Sequence, residues 1–560
     1  MSVSSAEAVE TASQDQTTPP QPLSAAPRSW AESWPIDTSL PRLYLPNDTT
    51  SRAVGAMEVY TELMHRIERA LGATPPTTFV GSRGLFFLEP LVEVELPTGE
   101  RVAYGPMRTS MLTKRNLELI LQGRRIAGAT LGPLAEHPHL IGQQRLVFGS
   151  CGILPPNDLQ ALRSQGAYGA LERALLRSPP EVIDEVVASG LQGRGGAGFP
   201  CGLKWRTTAA AAGSPKYIVA NGDEGDPGTY ADRMLLEGDP HRLIEGMAIA
   251  AYAVGATEGY VYIRGEYPAA IASMRTAITQ AREAGILGPR MLGSGGPFDL
   301  RVAINGGAYI CGEETALLES IEGRRGMVRA KPPYPAESGL FRKPTVVNNV
   351  LTLASIPWIL RNGARAWKKH GTEGSPGTVV LQLGGSLRTP CLIEVPFGLS
   401  LREVVSGYGG GTPKGLKLKA VQCGGPLGGL LPPRLLDTPV SFEGLKAAGG
   451  LLGHGGIVVY DHRTDMVDLS HHFMEFCAHE SCGKCTPCRI GSHRAEELLQ
   501  KVLDGEGSPE DLDRLRELAH TMTWASLCAL GGLAPSPVLS ALEHFPREFE
   551  ARLKRTGGGA

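Results

Sequence analysis

Three cysteines, Cys482, Cys485 and Cys488, stand at two-residue intervals in HESCGKCTPCRIGS, and a fourth, Cys528, follows forty residues later in TWASLCALGG. Thiolates at this three-plus-one spacing suit a cubane [4Fe-4S] cluster, because the close trio reaches three iron corners and the remote one takes the last. Zinc competes, since a structural zinc site accepts four cysteines, or three with a histidine such as His479. Zinc usually draws its cysteines in two pairs, so the spacing favours the cluster. Lys484 and Arg489 flank the trio with charge that offsets the thiolates, and Cys477 reads as packing.

A second group of residues suits a phosphorylated, aromatic ligand. Gly193-Arg194-Gly195-Gly196-Ala197-Gly198 matches G-x-G-x-x-G, a pattern that lets backbone amides approach phosphate closely. It follows the helical stretch EVIDEVVASG rather than a strand, so it is not the usual dinucleotide fingerprint. Arg194 and Lys204 add positive charge, and Phe199 and Trp205 offer aromatic faces, although Trp205 serves equally well as core. NGDEGDPGTYADR then places Asp223, Glu224 and Asp226 after the apolar strand KYIVA, where open α/β sheets bind ligands. In GGAYICGEETALLES, Glu313 and Glu314 open a helix, a position that the helix dipole favours for carboxylates, and Cys311 reads as a buried small residue.

The elements that must position these residues are legible in the periodicities. Residues 1–56 read as a disordered tail rich in Ser, Thr, Pro and Gln. Residues 57–150 begin with the helical MEVYTELMHRIERALG and continue into LVEVELPTGERVAYGP, two strands joined at a turn. A βαβ-like alternation follows over 151–365, from KYIVA through GYVYIRGEYP to LRVAING, which implies an open α/β sheet. Short strands over 366–468 imply a compact β-rich module, and helical periods over 469–560 imply a helical bundle that carries the cysteines. The fold class expected is α/β multidomain.

The bulk properties narrow the function classes. A formal net charge of -2 over 560 residues gives no attraction toward nucleic acid, and no apolar run reaches transmembrane length. The N-terminus lacks the basic start and apolar core of a secretory signal, so a cytoplasmic location is expected, where ten clustered cysteines suit metal better than disulfides.

GRGGAGFPCGLKW, NGDEGDPGTYADR, YIRGEYP, GGAYICGEETALLESIEGRRG, KPPYPAESGLFRKPTVVNNV, ESCGKCTPCR and SLCALGG together resemble the flavin-bearing, NADH-oxidising subunit of respiratory complex I and its soluble relatives. GSRGLFFLEPLVEVE, ADRMLLEGDP, LLESIEGRRGMVRAKPP and HGGIVVYD look most like the beta (diaphorase) subunit of soluble NAD-dependent molybdenum or tungsten formate dehydrogenases. The resemblance implies a thioredoxin-like N-terminal domain, a Rossmann-like FMN domain, a ubiquitin-like β-grasp module and a helical bundle with the [4Fe-4S] cluster. Related N-terminal domains bind [2Fe-2S] through four cysteines, and here no cysteine precedes Cys151, so that cluster is expected in a small partner subunit. The other implied partner is a catalytic molybdenum or tungsten formate dehydrogenase subunit. The equivalent subunit of an NAD-reducing hydrogenase or of complex I is the alternative.

Carried over residue by residue, the resemblance implies FMN contacts at Gly193, Arg194, Gly195, Gly196, Lys204, Asn221, Asp223, Glu224, Asn348 and Asn349. It implies NAD(H) contacts at Phe199, Lys204, Asp226, Tyr309, Glu313, Glu314 and Tyr334, with Phe199 and Glu314 shaping hydride transfer. Asp226 stands where the complex I branch has glutamate, Tyr334 where phenylalanine is usual, and Cys201 where threonine is common. A hydride carries two electrons and an iron-sulfur cluster accepts one, so a flavin between them is what this cofactor set requires.

Overall fold

The structure is a computed structural model and describes residues 40–554. Three sheets and a C-terminal set of helices organise it. The first sheet has the order Thr77–Val80, Arg42–Pro46, Val92–Glu95, Arg101–Tyr104, Thr130–Gly132. Val92–Glu95 and Arg101–Tyr104 pair antiparallel across the turn expected at Pro97 to Glu100. The helix Ala56–Leu71 covers this sheet with Val59, Tyr60, Leu63 and Ile67, a spacing that places all four on one face.

The tail expected over residues 1–56 needs correction at its end. Residues 1–39 lie outside the described residues, but Arg42–Pro46 is an interior strand of the first sheet, and Asp48 caps the helix Thr49–Ala53 by accepting from the Ser51 amide at 3.0 Å. Leu43, Tyr44 and Leu45 are buried between neighbouring strands. A three-residue apolar run amid prolines and serines is too short to register as a strand until its partners are known.

The second sheet is parallel, with the order Asp299–Asn305, Glu258–Arg264, Tyr217–Gly222, Thr345–Asn349. Tyr217–Gly222 and Thr345–Asn349 are buried along nearly their whole length, whereas the edge strand Asp299–Asn305 exposes Arg301 and Ile304. Pro240–Val254 is buried nearly all round and packs against Val350–Asn362. The third sheet is mixed, with the order Cys391–Pro396, Thr378–Gly385, Gly456–Asp461, Leu418–Cys423, Leu430–Leu431. It is tied to the second by buried polar side chains. Glu394 accepts the backbone amides of Val147 and Phe148 at 2.9 Å, and Gln382 accepts that of Ala231 at 3.0 Å.

The helices Met466–Glu480, Thr486–Leu503, Pro509–Ala525, Ala529–Leu533 and Ser536–His544 form the C-terminal bundle around Met474, Leu499, Leu515, Met522 and Val538. Among the described residues no helix is long and apolar enough to cross a membrane.

Candidate functional site

The parallel sheet delivers its polar residues to one edge. Asn221 and Asn349 are direct neighbours at the carboxyl ends of adjacent strands, as are Ala220 and Asn348. Asn305 ends a third strand and donates to Asp223 Oδ1 at 2.6 Å, while Asn221 donates to the Gly312 carbonyl at 2.8 Å. Asp223 is buried, and burial pushes its carboxyl up to about 7, against the pull of Arg264 and of the Asn305 hydrogen bond.

The glycine loop lies across this edge. Gln192 pairs with Pro200 at its base, the Gly193 amide donates to the Phe199 carbonyl at 2.9 Å, and the loop runs straight into the N-terminus of the helix Cys201–Ala210. A Cβ on Gly195 would lie 3.0 Å from Asn349 Cβ. Gly198 has φ +64° and would press a Cβ to 2.9 Å from the Phe442 ring, so glycine is required there on both counts. A glycine-lined cradle, a helix N-terminus and Lys204 on its first turn fit a flavin phosphate.

Two expected contacts change in character. The Arg194 guanidinium turns away from the loop, donating to the Gln192 and Pro376 carbonyls at 3.1 Å each and stacking 4.7 Å from the Phe397 ring centre. An arginine beside glycines looks like a phosphate ligand in sequence, but here its backbone serves the loop and its side chain anchors the loop to the third sheet. Glu224 likewise spends its carboxylate on the amides of Asp232 and Arg233, at 2.8 and 3.0 Å, which caps the helix Ala231–Gly238. Glu224 itself has φ 40°, a strained backbone for a side-chain-bearing residue. Trp205 is core, fully buried with its indole N–H donating to Asn348 at 3.0 Å.

The open side of the cleft is aromatic and charged. Phe199 is 54% exposed and Tyr334 55%, against a background of buried aromatics. Lys204 Nζ donates to Glu314 Oε2 at 3.0 Å and to the Val347 carbonyl at 2.9 Å. Lys331 meets Glu314 at 3.1 Å and Glu313 at 2.8 Å. Burial pushes the Glu314 carboxyl up, but Lys204 and Lys331 outweigh it and hold the group below its ordinary value. Glu313 caps the helix Glu314–Ile321, accepting from the amides of Thr315 and Ala316 at 2.9 and 3.0 Å.

Tyr309 joins this cleft to the bundle. Its hydroxyl donates to Asp226 at 2.7 Å, its amide to Glu480 at 2.8 Å, and its ring meets Phe476 edge-on at 5.1 Å. Ile310 and Cys311 of the following turn, with Leu317 of the helix Glu314–Ile321, belong to the same apolar cluster as Cys488, on which Cys482, Cys485 and Cys528 also pack. Cys485 and Cys528 each stand at a helix N-terminus, and Ser481 Oγ lies 3.2 Å from Cys488 Sγ. Burial raises the Cys488 thiol to about 11, and the three neighbouring cysteines push it in the same direction. That mutual repulsion is relieved when the thiolates ligate a metal. Cys477, fully buried, packs within the bundle.

The chain is similar to known proteins over much of its length. The chain is 48% identical over 411 residues to the NADP-reducing hydrogenase subunit HndC of Solidesulfovibrio fructosivorans, covering 73% of this chain and 84% of that one. It is 47% identical over 397 residues to an F-type NADH-quinone oxidoreductase subunit of Rhizobium meliloti (strain 1021), covering 71% and 94%. The chain belongs to the family of F-type NADH-quinone oxidoreductase subunits. The Nuo51 FMN-binding domain matches residues 186–358, and the NADH-ubiquinone oxidoreductase-F iron-sulfur binding region matches residues 468–552. An NAD+-reducing [NiFe]-hydrogenase, in the H2-reduced state, superposes with a TM-score of 0.66 at 31% identity, covering 93% of this chain and 85% of that one. As a member of this family the chain is an oxidoreductase subunit that binds NAD(H), FMN and a [4Fe-4S] cluster.

Asn305 and Lys331 join the site through Asp223, Glu313 and Glu314, and Asp232 joins it by accepting from Asn349 at 2.8 Å, with His454 Nε2 3.2 Å from its other oxygen; none of the four stood out in the sequence. Asn305 ends the strand DLRVAIN just before Gly306-Gly307, and Lys331 opens KPPYP; polar residues at such junctions are the available signal.

Proposed function

We propose that this chain is the NAD(H)-linked electron-transfer subunit of a cytoplasmic NAD-dependent formate dehydrogenase. A catalytic molybdenum or tungsten subunit and a small [2Fe-2S] subunit would be its partners. FMN, when bound, accepts or donates a hydride and exchanges electrons singly with an iron-sulfur cluster, which is the chemistry the site needs. The chain's own contribution is positioning. Gly193, Gly195 and Gly196 present backbone to the phosphate, Lys204 neutralises it, and Asn221, Asn348 and Asp223 border the ring. Phe199 and Tyr334 stack the dinucleotide, while Glu313 and Glu314, steadied by Lys331, orient it. Cys482, Cys485, Cys488 and Cys528 hold the cluster.

The observation that carries the reading is the short segment Tyr309 to Glu314. Its Glu313 and Glu314 meet Lys331, and its Ile310 and Cys311 share one apolar cluster with Cys482, Cys485, Cys488 and Cys528, which supports a dinucleotide side next to the cluster. Electron exit through the bundle fits the exposed Trp524, Leu527 and Ile490 around the cysteines, apolar side chains that a partner protein would cover. The formate assignment rests on the sequence features of the diaphorase branch and on the cysteine-free N-terminal domain. The relatives' names favour a second reading, an NAD(P)-reducing hydrogenase. Purifying the native complex and supplying formate or hydrogen with NAD+ decides between them: NADH formation with formate alone supports the proposal, and formation with hydrogen alone overturns it.

A further inference from the structure

His454 sits in the loop before strand Gly456–Asp461 of the third sheet, is 7% exposed, and reaches into the flavin domain. Its Nδ1 lies 2.8 Å from the carbonyl oxygen of Arg194 in the glycine loop. That oxygen can only accept, so Nδ1 carries a proton. On the other side of the ring, Nε2 faces two more acceptors, Asp232 Oδ1 at 3.2 Å and Glu224 Oε1 at 3.4 Å. Nε2 and Asp232 Oδ1 are both buried with no other hydrogen-bond partner, so a proton belongs between them, and Glu224, whose oxygens already accept two amides, draws that proton onto Nε2.

We propose that His454 is a positioning residue of the flavin site: as an imidazolium it ties the glycine loop to the acidic loop and to the helix Ala231–Gly238, which makes flavin binding proton-linked. This rests on the FMN reading above. The tie extends one contact further, because Asp232 Oδ2 accepts from Asn349 Nδ2 at 2.8 Å, and Asn349 Cβ is the atom against which Gly195 packs. The strut therefore holds the loop from its carbonyl side and from its floor.

The charged groups facing the ring are Glu224 and Asp232, with Asp226 acting at longer range; the guanidinium of Arg194 points away to Pro376. Burial opposes the charge on His454, and the carboxylates prevail, raising it well above its ordinary value of 6.5. The raised value is that of the flavin-free fold, so the strut is intact at neutral pH and is lost as pH rises through that value; a glycine loop that takes FMN only with the strut in place loses affinity over the same range.

The test uses the full chain with its iron-sulfur cluster, measuring FMN affinity by quenching of FMN fluorescence from pH about 6 to about 10, with iron content as the fold control. In the parent, affinity falls toward alkaline pH. His454→Gln binds FMN roughly tenfold more weakly at neutral pH and loses the alkaline decline. Asp232→Asn keeps the decline but moves it to lower pH, a shift that a purely structural role would not produce. Should His454→Gln also lose its iron, the Asp232→Asn profile decides alone. Unchanged affinity and pH profile in both variants overturns the proposal, as does a stoichiometric divalent ion other than iron that His454→Gln removes. A parent that binds no FMN at any pH fails the flavin reading itself.

Discussion

Tyr309 donates its hydroxyl to Asp226 at 2.7 Å while the Tyr309 amide donates to Glu480 at 2.8 Å, so one residue links the acidic loop to the helix that leads into the cluster cysteines. Burial raises the Asp226 carboxyl and the Tyr309 hydrogen bond lowers it. Tyr309→Phe removes that support. The Asp226 carboxylate then protonates at higher pH, and KM for NADH should rise several-fold on the acid side, with roughly the 1–3 kcal/mol expected for a stranded buried group as the upper bound. Steady-state NADH:ferricyanide kinetics across pH read it directly; an unchanged KM profile removes Asp226 from the dinucleotide side.

Asp223 supplies a stability prediction. Its carboxyl is raised to about 7 in the fold against an ordinary 3.8, so the stability it contributes is full below the ordinary value and is lost as pH rises through about 7. Asp223→Asn cannot ionise. The melting temperature of the flavin-free parent should therefore fall relative to that of Asp223→Asn as pH rises between these values, and parallel curves would show that the Asp223 carboxyl is not raised by the fold.

Glu314 moves the other way. Two lysines hold its carboxyl below 4.5 despite burial, so it stays ionised, and its ion pairs stay intact, until pH falls below that ordinary value. Lys331→Met leaves Lys204 as the sole cation in contact, and an acid limb should then appear in kcat/KM at a pH where the parent is still flat. A pH profile identical to the parent's would show that Lys331 does not set the charge state of Glu314.

The cluster assignment separates five cysteines that share one helical region. Cys528→Ser should lose its iron and the visible absorbance of the cluster while retaining FMN, since Cys528 is far from the glycine loop in the chain and shares its environment with Cys482, Cys485 and Cys488. Cys477→Ser should retain all of its iron, because Cys477 is fully buried in the bundle core. Iron analysis with the reverse outcome would exchange the two roles.

Much of this was readable from the residues. The cysteine spacing, the glycine loop and the acid-bearing loop after KYIVA are local patterns, and each identifies itself by residue type at fixed separation. What sequence could not convey was the direction of side chains whose partners lie far along the chain. Arg194 looks like a phosphate ligand until Phe397 and Pro376, some two hundred residues on, claim its guanidinium. Glu224 looks like a flavin contact until the helix eight residues later takes its oxygens. His454 carries no motif at all, because its three partners come from the glycine loop, the acidic loop and a helix. Strand Arg42–Pro46 was hidden for the same reason, being defined by neighbours at Thr77–Val80 and Val92–Glu95 rather than by its own length.

In the function proposed above, the chain takes a hydride at a flavin and passes electrons singly to a cluster held by Cys482, Cys485, Cys488 and Cys528. Anaerobic titration of the purified chain with NADH, followed by flavin absorbance and by electron paramagnetic resonance of the cluster, tests it most directly. The expected result is bleaching of the flavin band together with a reduced-cluster signal that is absent from Cys528→Ser, while the flavin of that variant still bleaches. An unbleached flavin in the parent, or a bleached flavin with no cluster signal, would contradict it.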